Sequence, residues 1–407
     1  MDINKVQKRI ISLSKYIKEI ALLEREGRYI ACIYPDFQAL QDQLIINIRS
    51  EILWYGLELY NMEVPPQEGI REFEIFSFPL AKKPDGSYDK EKLLAQLQKE
   101  LPLDVNNSIE IQEPLCEALC SFIATLTPKE LSPDAHFELD LGLDSLDYVA
   151  LFTYVEESFG VVIDEEIFAR HMRLEELYRY IKKHQKFFAP KEESWGDIIH
   201  QDLKEELVYS PVILTLYKTL LYPLFKLYFS FDVQGVEKIP HSSCIIAPTH
   251  ESMLDGFLIE SSLPYKTLYN TFFLAYEGVF GKGMLEPISK HGQLLLIDAN
   301  KNLKRSMQRA ALALKAKKNI VIFPEGARSR DGKLLEFRPF FAMLAKEFNV
   351  PIVPVHIDGS FEALRAGALL PRPVKIKVEY LDPIEPDDLS YEALSQKVRS
   401  AIEQKLL

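Results

Sequence analysis

The hydrophobic pattern of this chain of 407 residues changes twice along its length, and this division limits the possible folds more than any other feature. Residues 1–101 combine an amphipathic start with an apolar, strand-like run at Tyr29–Ile33. Residues 104–186 show only helical spacing, whereas residues 195–407 alternate β-rich runs with helical patterns. A chain of this length exceeds one ordinary core. We therefore predict an α/β multidomain protein with these boundaries: a small α+β domain, a helical bundle and an α/β domain.

The acidic charge is concentrated in the middle segment. The chain contains 60 acidic and 48 basic residues, and its formal net charge is −12. Residues 105–180 contain 16 acidic and 4 basic residues, which is −12 by itself, so the rest is balanced at 44 against 44. This balance disfavours nucleic-acid binding, which requires a basic surface.

The cysteines and the N-terminus indicate a reducing, cytoplasmic setting. The four cysteines form no CxxC pair, so we expect buried thiols rather than disulfides or a metal site. They are Cys32, Cys116, Cys120 and Cys244. The charged start, MDINKVQKRI, lacks the apolar core of a signal peptide.

The acidic segment contains a helix start with a serine. In the run Phe137–Ile163, Asp144 precedes Ser145, and apolar residues follow at helical spacing. Aspartate is a good N-cap, so we predict that Ser145 begins a helix with its hydroxyl in solvent. A phosphodiester attached there would be favoured by the helix dipole and by free backbone N–H groups. Further acidic residues are expected to face basic partner enzymes: Asp147, Glu156 and Glu157.

This segment resembles an acyl carrier protein over its full length, with Gly142–Leu146 at the G-x-D-S-L signature of that family. The resemblance implies 4′-phosphopantetheine attached covalently to Ser145, where its thiol holds an acyl group as a thioester. It also implies a phosphopantetheinyl transferase as a partner. The alternative is a plain capping pair on a small helical bundle.

A histidine and an aspartate five residues apart form the first candidate catalytic pair. Both His250 and Asp255 lie in IAPTHESMLDGF. Five residues on one helix would separate the side chains by about 140°. They therefore meet only if His250 lies on a turn and Asp255 in the first turns of the next helix. Paired in this way, the carboxylate orients the ring, which can take a proton from a hydroxyl. Because the chain has no G-x-S-x-G elbow, we discount Ser252 as a nucleophile.

A second motif follows a predicted buried strand in Asn319–Phe337. A sharp loop contains Glu325, Gly326 and Arg328, and Arg330 follows closely. Arginine suits phosphate oxygens, and glycine lets a substrate approach the backbone. The next strand, VPIVPV, contains prolines that are by themselves typical of an edge strand.

Together these motifs resemble the glycerolipid acyltransferases, best the 1-acyl-glycerol-3-phosphate acyltransferases, over about residues 205–385. The family patterns N-H-x-x-x-x-D and F-P-E-G-T-R-S correspond to residues 249–255 and 323–329, with Thr249 and Ala327 as departures. The resemblance implies that His250 is the general base and that Asp255 orients it. It implies that the acceptor is bound by three residues of the second motif: Glu325, Gly326 and Arg328.

One further departure concerns a positive charge. Relatives often have an Asp-Arg pair between the two motifs, whereas this chain has Asp298-Ala299. Three nearby residues are candidates to supply the missing charge: Lys301, Lys304 and Arg305. Residues 301–318 contain seven basic residues and no acidic one, which indicates either a solvated helix face or a surface for the acidic carrier or anionic lipid.

Residues 211–231 form a long apolar run, PVILTLYKTLLYPLFKLYFSF. Its polar residues fall within an arc of about 100° on a helix: Thr215, Lys218, Thr219, Tyr222 and Lys226. This pattern predicts a helix in the membrane interface whose lysines reach toward lipid headgroups. A kink at Pro223 would split it into a pair of helices. The alternative is a helix packed on its own domain.

The first domain resembles the small C-terminal subdomain of acyl-adenylating (AMP-binding) enzymes, in the stretches Ile17–Leu40 and Arg71–Leu93. Those enzymes have a lysine directly after the glycine of the second stretch, but here Gly86 is followed by Ser87. The large nucleotide-binding subdomain has no counterpart. We therefore expect a docking remnant or half of a split enzyme, with fatty acids activated by a separate acyl-adenylating enzyme.

These features predict an O-acyltransferase of phospholipid biosynthesis, bound peripherally at the cytoplasmic face of the membrane. It would move a fatty acyl group from a carrier-bound thioester donor to the free hydroxyl of a lysophospholipid acceptor, best 1-acyl-glycerol-3-phosphate. Two alternatives remain. One is a carrier and scaffold subunit of a split acyl-carrier ligase system, and the other is a complete acyl–carrier ligase, which the missing nucleotide loop opposes.

Overall fold

The computed structural model describes residues 2–25, 28–64, 68–70, 72–98, 113–190, 199–200, 203, 205–281, 289, 292–297, 303–329, 331–365, 368 and 370–406. These residues form two compact units, one within residues 1–193 and one within residues 194–407. The predicted boundary at residues 101–104 and the start of the third domain at residue 195 lie outside the described residues.

The first unit begins with a three-stranded sheet in the order β1-β2-β3. Strands β1 (Ile17–Arg25) and β2 (Arg28–Pro35) pair antiparallel, and β3 (Glu72–Ile75) runs parallel to β2. The accompanying helices are α1 (Ile3–Leu13), α2 (Phe37–Asp42), α3 (Ile48–Ile52), α4 (Glu58–Asn61) and α5 (Lys90–Gln98), with a π-helical turn at Leu53–Leu57. The predicted small α+β domain is confirmed.

The second part of this unit is helical. Its elements are α6 (Pro114–Leu126), α7 (Ser145–Phe159), α8 (Glu165–Ala169) and α9 (Leu174–His184). Residues of α7 at helical spacing are buried, among them Val149, Phe152 and Val155. The prediction of helices without strands is therefore confirmed for residues 113–190.

The second unit contains a mixed seven-stranded sheet. In chain order its strands are β4 (Asp232–Gln234), β5 (Ile245–Pro248), β6 (Thr271–Tyr276), β7 (Leu294–Ile297), β8 (Asn319–Val321), β9 (Ile352–Asp358) and β10 (Lys377–Tyr380). Their order in the sheet is β4-β10-β9-β5-β8-β6-β7, and β10 runs antiparallel to β9 while the other neighbours are parallel.

Helices alternate with these strands, as the sequence predicts for an α/β domain. They are α10 (Pro211–Tyr228), α11 (Asp255–Ser262), α12 (Tyr265–Leu268), α13 (Glu277–Phe280), α14 (Leu303–Lys315), α15 (Phe340–Phe348), α16 (Ser360–Ala363) and α17 (Tyr391–Leu406). Strands β5, β8 and β9 are buried at the centre of the sheet, where they position the loops that follow them.

Strand β9 is an interior strand, so the edge position that its prolines indicated is wrong. It lies between β10 and β5. The carbonyl of Pro354 accepts a hydrogen bond of 2.9 Å from the N–H of Leu381, one residue beyond the end of β10 at Tyr380. The missing proline N–H thus falls one residue beyond the last pair of that ladder, Tyr380 with Val355.

Residues Pro211–Tyr228 form the single helix α10, which continues through Pro223. The predicted helix pair is therefore wrong. A proline inside a helix removes one backbone hydrogen bond, here to the carbonyl of Thr219. Side chains before and after this point fix the helix to its own unit, because Lys218 and Phe225 are both buried.

Two lysines of the polar arc of α10 donate hydrogen bonds to backbone carbonyls of the second unit. Lys218 Nζ donates to the carbonyl of Ser261, at 2.6 Å, and to the carbonyl of Leu263. Lys226 Nζ donates to the carbonyl of Phe231, at 3.0 Å. The prediction that the lysines reach toward lipid headgroups is therefore wrong for Lys218, which is only 9% exposed, whereas Lys226 is exposed and the prediction stays a prediction there.

One row of apolar residues on α10 faces outward, whereas Leu214 and Phe225 of the same helix are buried. Val212 and Leu227 are 79% and 87% exposed. Other large apolar side chains on the helix are also exposed: Leu216, Leu220 and Leu224. Among the helices that the structure describes, none combines the length and apolar character that crossing a bilayer requires.

Candidate active site and carrier serine

His250 lies on the turn that follows β5, and Asp255 is the first residue of α11. Their side chains meet, with His250 Nδ1 2.9 Å from Asp255 Oδ2. This is the turn-then-helix geometry that the five-residue spacing required. Thr249 fixes the turn to the sheet, because its N–H donates to the carbonyl of Val355 and its hydroxyl accepts from the N–H of Ile357.

Asp255 holds both the imidazole ring and the loop. It is 0% exposed, and its Oδ2 also accepts from the N–H groups of Glu251, at 2.7 Å, and Ser252, at 2.8 Å. Its Oδ1 is buried and has no hydrogen-bond partner within the part of the chain that the structure describes. Because the carboxylate accepts from Nδ1–H, Nε2 of the neutral ring carries no proton and can accept one.

The loop Phe323–Ser329 holds the backbone of His250. Glu325 Oε1 accepts from the N–H of His250 at 2.7 Å, and the N–H of Ser329 donates to the carbonyl of His250 at 2.7 Å. The Phe323 ring stacks on the imidazole, with centroids 4.1 Å apart. One loop therefore occupies both polar backbone groups of His250 and one face of its ring.

Both carboxylate oxygens of Glu325 are engaged by backbone donors. Besides the bond to His250, its Oε2 accepts from the N–H of Leu335 at 2.9 Å. Burial raises the pKa of Glu325 to about 7. This arrangement favours a role in supporting His250 over the direct contact with the acceptor that the resemblance implies.

Gly326 and Arg328 offer a more open surface. Gly326 is exposed and has φ +66°, in the left-handed region that favours glycine. Arg328 is half-buried, and no described residue forms a hydrogen bond or ion pair with its guanidinium. Burial lowers its pKa, and the nearby Asp255 carboxylate raises it. Arg328 therefore presents an available cation near the His–Asp pair, while Arg330 lies outside the described residues.

Sequence reasoning missed Glu251. Burial, followed by the carboxylates of Asp255, Glu325 and Glu362, raises the pKa of Glu251 to about 8. The only sequence signal was its position next to His250, and a glutamate on a turn is usually solvated. The site thus contains a second carboxyl group whose burial favours the protonated form.

The basic residues near β7 are partly engaged within the protein. Glu205 accepts from Arg305 Nε at 2.6 Å and from Arg309 Nε at 2.7 Å. Arg309 also donates to the carbonyl of Leu296, at 3.2 Å. Arg309, which the sequence did not single out, is therefore the cation beside β7. Three residues of this region lie outside the described part: Asp298, Ala299 and Lys301.

Ser145 begins α7, and Asp144 is its N-cap, as predicted. Asp144 Oδ1 accepts from the N–H of Leu146 at 2.8 Å, and Asp147 Oδ2 accepts from the N–H of Asp144 at 2.9 Å, which completes a capping box. The prediction of a hydroxyl in solvent is wrong, because Ser145 Oγ donates to Asn47 Oδ1 at 3.1 Å.

The geometry at Ser145 fits a covalent phosphodiester. The serine is half-buried at the start of a helix of 15 residues. The first N–H groups and the dipole of such a helix favour an anion at this end. Ser145 is therefore the residue that would hold 4′-phosphopantetheine.

Comparison with known proteins finds a family model over each of the two regions. A family model described as Acyltransferase matches residues 230–358, and a model described as Phosphopantetheine attachment site matches residues 113–181. The chain is 32% identical over 170 residues to the 1-acyl-sn-glycerol-3-phosphate acyltransferase of Limnanthes douglasii, covering 41% of this chain and 59% of that protein. It is 37% identical over 60 residues to the acyl carrier protein of Nitratidesulfovibrio vulgaris, covering 15% of this chain and 79% of that protein.

A solved structure is also similar. The 1-acyl-sn-glycerophosphate acyltransferase of Thermotoga maritima is 25% identical, with a TM-score of 0.42, over 48% of this chain and 78% of that chain. The sequence matches define a protein that joins a phosphopantetheine-attachment domain to an acyltransferase domain. Through its carrier segment the chain belongs to the acyl carrier protein family. It spans 59% of the length of the Limnanthes douglasii relative.

Proposed function

We propose that this chain transfers an acyl group from a thioester donor to the free hydroxyl of a lysophospholipid. The observation that carries the proposal is the bond of 2.9 Å between His250 Nδ1 and Asp255 Oδ2, which leaves Nε2 free to accept a proton. The similarity to enzymes named for 1-acyl-sn-glycerol-3-phosphate supports that acceptor.

In the proposed reaction, His250 Nε2 accepts the proton of the acceptor hydroxyl while the oxygen of that hydroxyl attacks the thioester carbonyl carbon. The new carbon–oxygen bond forms as the carbon–sulfur bond breaks. The imidazolium, stabilised by Asp255, returns its proton to the departing sulfur, so His250 ends in its starting form. No acyl group is transferred to a catalytic side chain at any step.

Ser145 is the proposed attachment point of the donor. The phosphopantetheine group supplies a thiol that holds the acyl chain as a thioester. A carrier within the same chain raises the local donor concentration to about millimolar when the linker is short and flexible. A separate acyl-adenylating enzyme would load it, because the first domain lacks the lysine that follows the glycine in complete ligases.

Arg328 is the proposed binding group for the acceptor phosphate. Its guanidinium has no partner among the described residues, and it lies near enough to Asp255 for their charges to interact. A planar guanidinium binds phosphate oxygens in a bidentate manner. Gly326, exposed in the same loop, would let the headgroup approach the backbone.

Helix α10 is the proposed contact with the cytoplasmic face of the membrane. A row of exposed leucines on its outer face supports this role, because an isolated apolar face of this length gains free energy from lipid. Replacing Leu220 and Leu224 by Glu should reduce co-sedimentation with lipid vesicles at least about tenfold. The matched control is Leu370→Glu, because Leu370 is 79% exposed outside this helix.

The reaction is tested with full-length protein whose carrier has been loaded with a radiolabelled acyl group. Lysophosphatidate is presented in vesicles, and labelled phosphatidate is measured. His250→Ala should lower the rate about 10²–10⁴-fold, whereas the exposed His241→Ala should not change it. Ser145→Ala should abolish transfer from the carrier but retain transfer from added acyl thioester. Equal transfer rates for wild type and His250→Ala would overturn the general base, and absence of transfer by the wild type would favour a carrier and scaffold subunit.

A further inference from the structure

The carrier serine is held by a residue from the N-terminal part of the same unit. Ser145 Oγ donates to Oδ1 of Asn47, which is 98 residues away in the sequence. Asn47 lies directly before α3 and is only 8% exposed. The hydroxyl that would carry phosphopantetheine therefore lies against a nearly buried amide.

The acidic loop of the carrier is bound beside this contact. Glu138 accepts from the backbone N–H groups of Ile48, at 2.6 Å, and Arg49, at 3.0 Å. Asp140 Oδ1 accepts from the hydroxyl of Ser77 at 2.8 Å. We call Asn47, Ile48, Arg49 and Ser77 the carrier dock. The dock supplies uncharged donors to two carboxylates and an acceptor to one serine.

The contact between the N-terminal part and the carrier is interrupted by a cleft. A cleft of about 240 Å³ lies between them, with Phe37, Leu40 and Ile48 on one side and His136 and Met172 on the other. Interfaces that are polar and incompletely packed are typical of contacts that form and separate. The carrier is therefore placed to leave the dock without unfolding.

We propose that the carrier dock binds the carrier only while Ser145 is unmodified, and that attachment of phosphopantetheine releases it. Attachment replaces the hydroxyl proton by a phosphodiester, so Ser145 can no longer donate to Asn47. A negative charge then lies against the amide oxygen, next to the carboxylate of Glu138. The proposal rests on the carrier function proposed for Ser145.

Release would make the order of events directional. The unmodified carrier stays docked, and only a carrier that can hold an acyl group becomes free to move. The transferase that modifies Ser145 must act when the dock opens transiently, so weakening the dock should accelerate modification.

Hydrogen exchange of the full-length protein tests the release directly. Unmodified protein and protein modified with coenzyme A and a phosphopantetheinyl transferase are compared, after intact mass has established each state. Glu138 accepts hydrogen bonds from the backbone N–H groups of Ile48 and Arg49. The amide hydrogens of the peptide that contains these two residues should exchange at least about tenfold faster after modification. Equal exchange in the two states would overturn the release.

Modification rates provide the second test. Asn47→Ala and Glu138→Gln each remove one or two hydrogen bonds of the dock, so the initial rate of phosphopantetheine addition should rise about fivefold to tenfold. The matched control is Glu156→Gln, which changes an exposed carboxylate of the carrier outside the dock. If phosphopantetheine is added to Ser145 at the same rate in wild type and all variants, the proposed role of the dock is overturned while the carrier function stands. Absence of any added mass at Ser145 in every variant would overturn the carrier function and the release together.

Discussion

The two reactive side chains of this protein are held in opposite ways. His250 is fixed by its own unit, because Asp255 binds its ring and the loop Phe323–Ser329 binds both polar groups of its backbone. Ser145 is held through a side-chain hydrogen bond that its hydroxyl donates to Asn47 Oδ1. A catalytic base benefits from a position that does not change, whereas a carrier residue must be able to leave its contact.

A change at Asp255 tests most strongly whether His250 needs its fixed position. Replacing Asp255 by Asn keeps its size but weakens three hydrogen bonds and removes the charge that stabilises the imidazolium. We expect the acyl-transfer rate to fall about 10²–10³-fold, with the phosphopantetheine addition at Ser145 unchanged. The measurement is transfer from the loaded carrier, with thermal melting as the control for folding. A rate within twofold of wild type would show that the ring needs no fixed orientation.

Arg328 differs from His250 and Asp255, because its guanidinium has no hydrogen-bond partner among the described residues and is available to a ligand. Arg328→Ala should raise the KM for lysophosphatidate about 10–100-fold, the effect of losing a charge-assisted contact to phosphate, and should change kcat little. Steady-state kinetics with lysophosphatidate and with an uncharged monoacylglycerol provide the measurement. If the KM rises equally for both acceptors, the guanidinium does not bind the phosphate.

Glu325 tests whether the loop supports the base. In Glu325→Gln one carboxylate oxygen becomes an amide NH₂, so the N–H of either His250 or Leu335 loses its acceptor. We expect kcat to fall about tenfold with little change in KM, because a misplaced base slows proton transfer without weakening acceptor binding. A rise in KM at constant kcat would instead assign Glu325 to acceptor binding.

The smallest expected effect concerns the charge states of the second unit. Burial raises the pKa of Glu251 to about 8 and those of Glu260 and Glu325 to about 7, from an ordinary value of 4.5. Such groups hold their proton more tightly when folded, so their stabilisation is complete below pH 4.5 and is lost as pH rises through 7–8.

The melting temperature of this unit should therefore fall by a few degrees between pH 5.5 and pH 8.5, at about 2–4 °C per kcal/mol. Glu260→Gln keeps the shape of the protonated acid and should show a smaller fall. Glu237→Gln is the control, because Glu237 is exposed. Identical slopes in Glu260→Gln and wild type, followed by circular dichroism, would argue against a buried neutral Glu260.

Much of the second unit could be predicted because its signals are local. The spacing of His250 and Asp255 fixed where a turn and a helix had to lie, and the buried strand before Glu325 placed its loop. The edge assignment of β9 failed because it considered Pro354 without the length of its neighbour. The ladder with β10 ends at that residue, and this end depends on a strand more than twenty residues later.

The missed features depend on contacts between distant residues. Asp144 predicts the start of α7, but no sequence pattern connects Ser145 with Asn47. In α10, the sequence located the polar arc correctly, but it did not show that Lys218 of this arc points into the protein. An arc of polar residues suits water, and it equally suits the carbonyl groups of Ser261 and Leu263 that bind Lys218. Only the tertiary structure decides between these partners.

The direction of α10 has a consequence for how the protein would be handled. Since Lys218 is buried and the exposed Lys226 bonds to a backbone carbonyl, the outer row of α10 presents mainly hydrocarbon to its surroundings. Adhesion through such a face is governed by insertion into acyl chains and is hardly screened by ions. Concentrated salt washes should leave the protein on a bilayer, and a mild detergent should remove it.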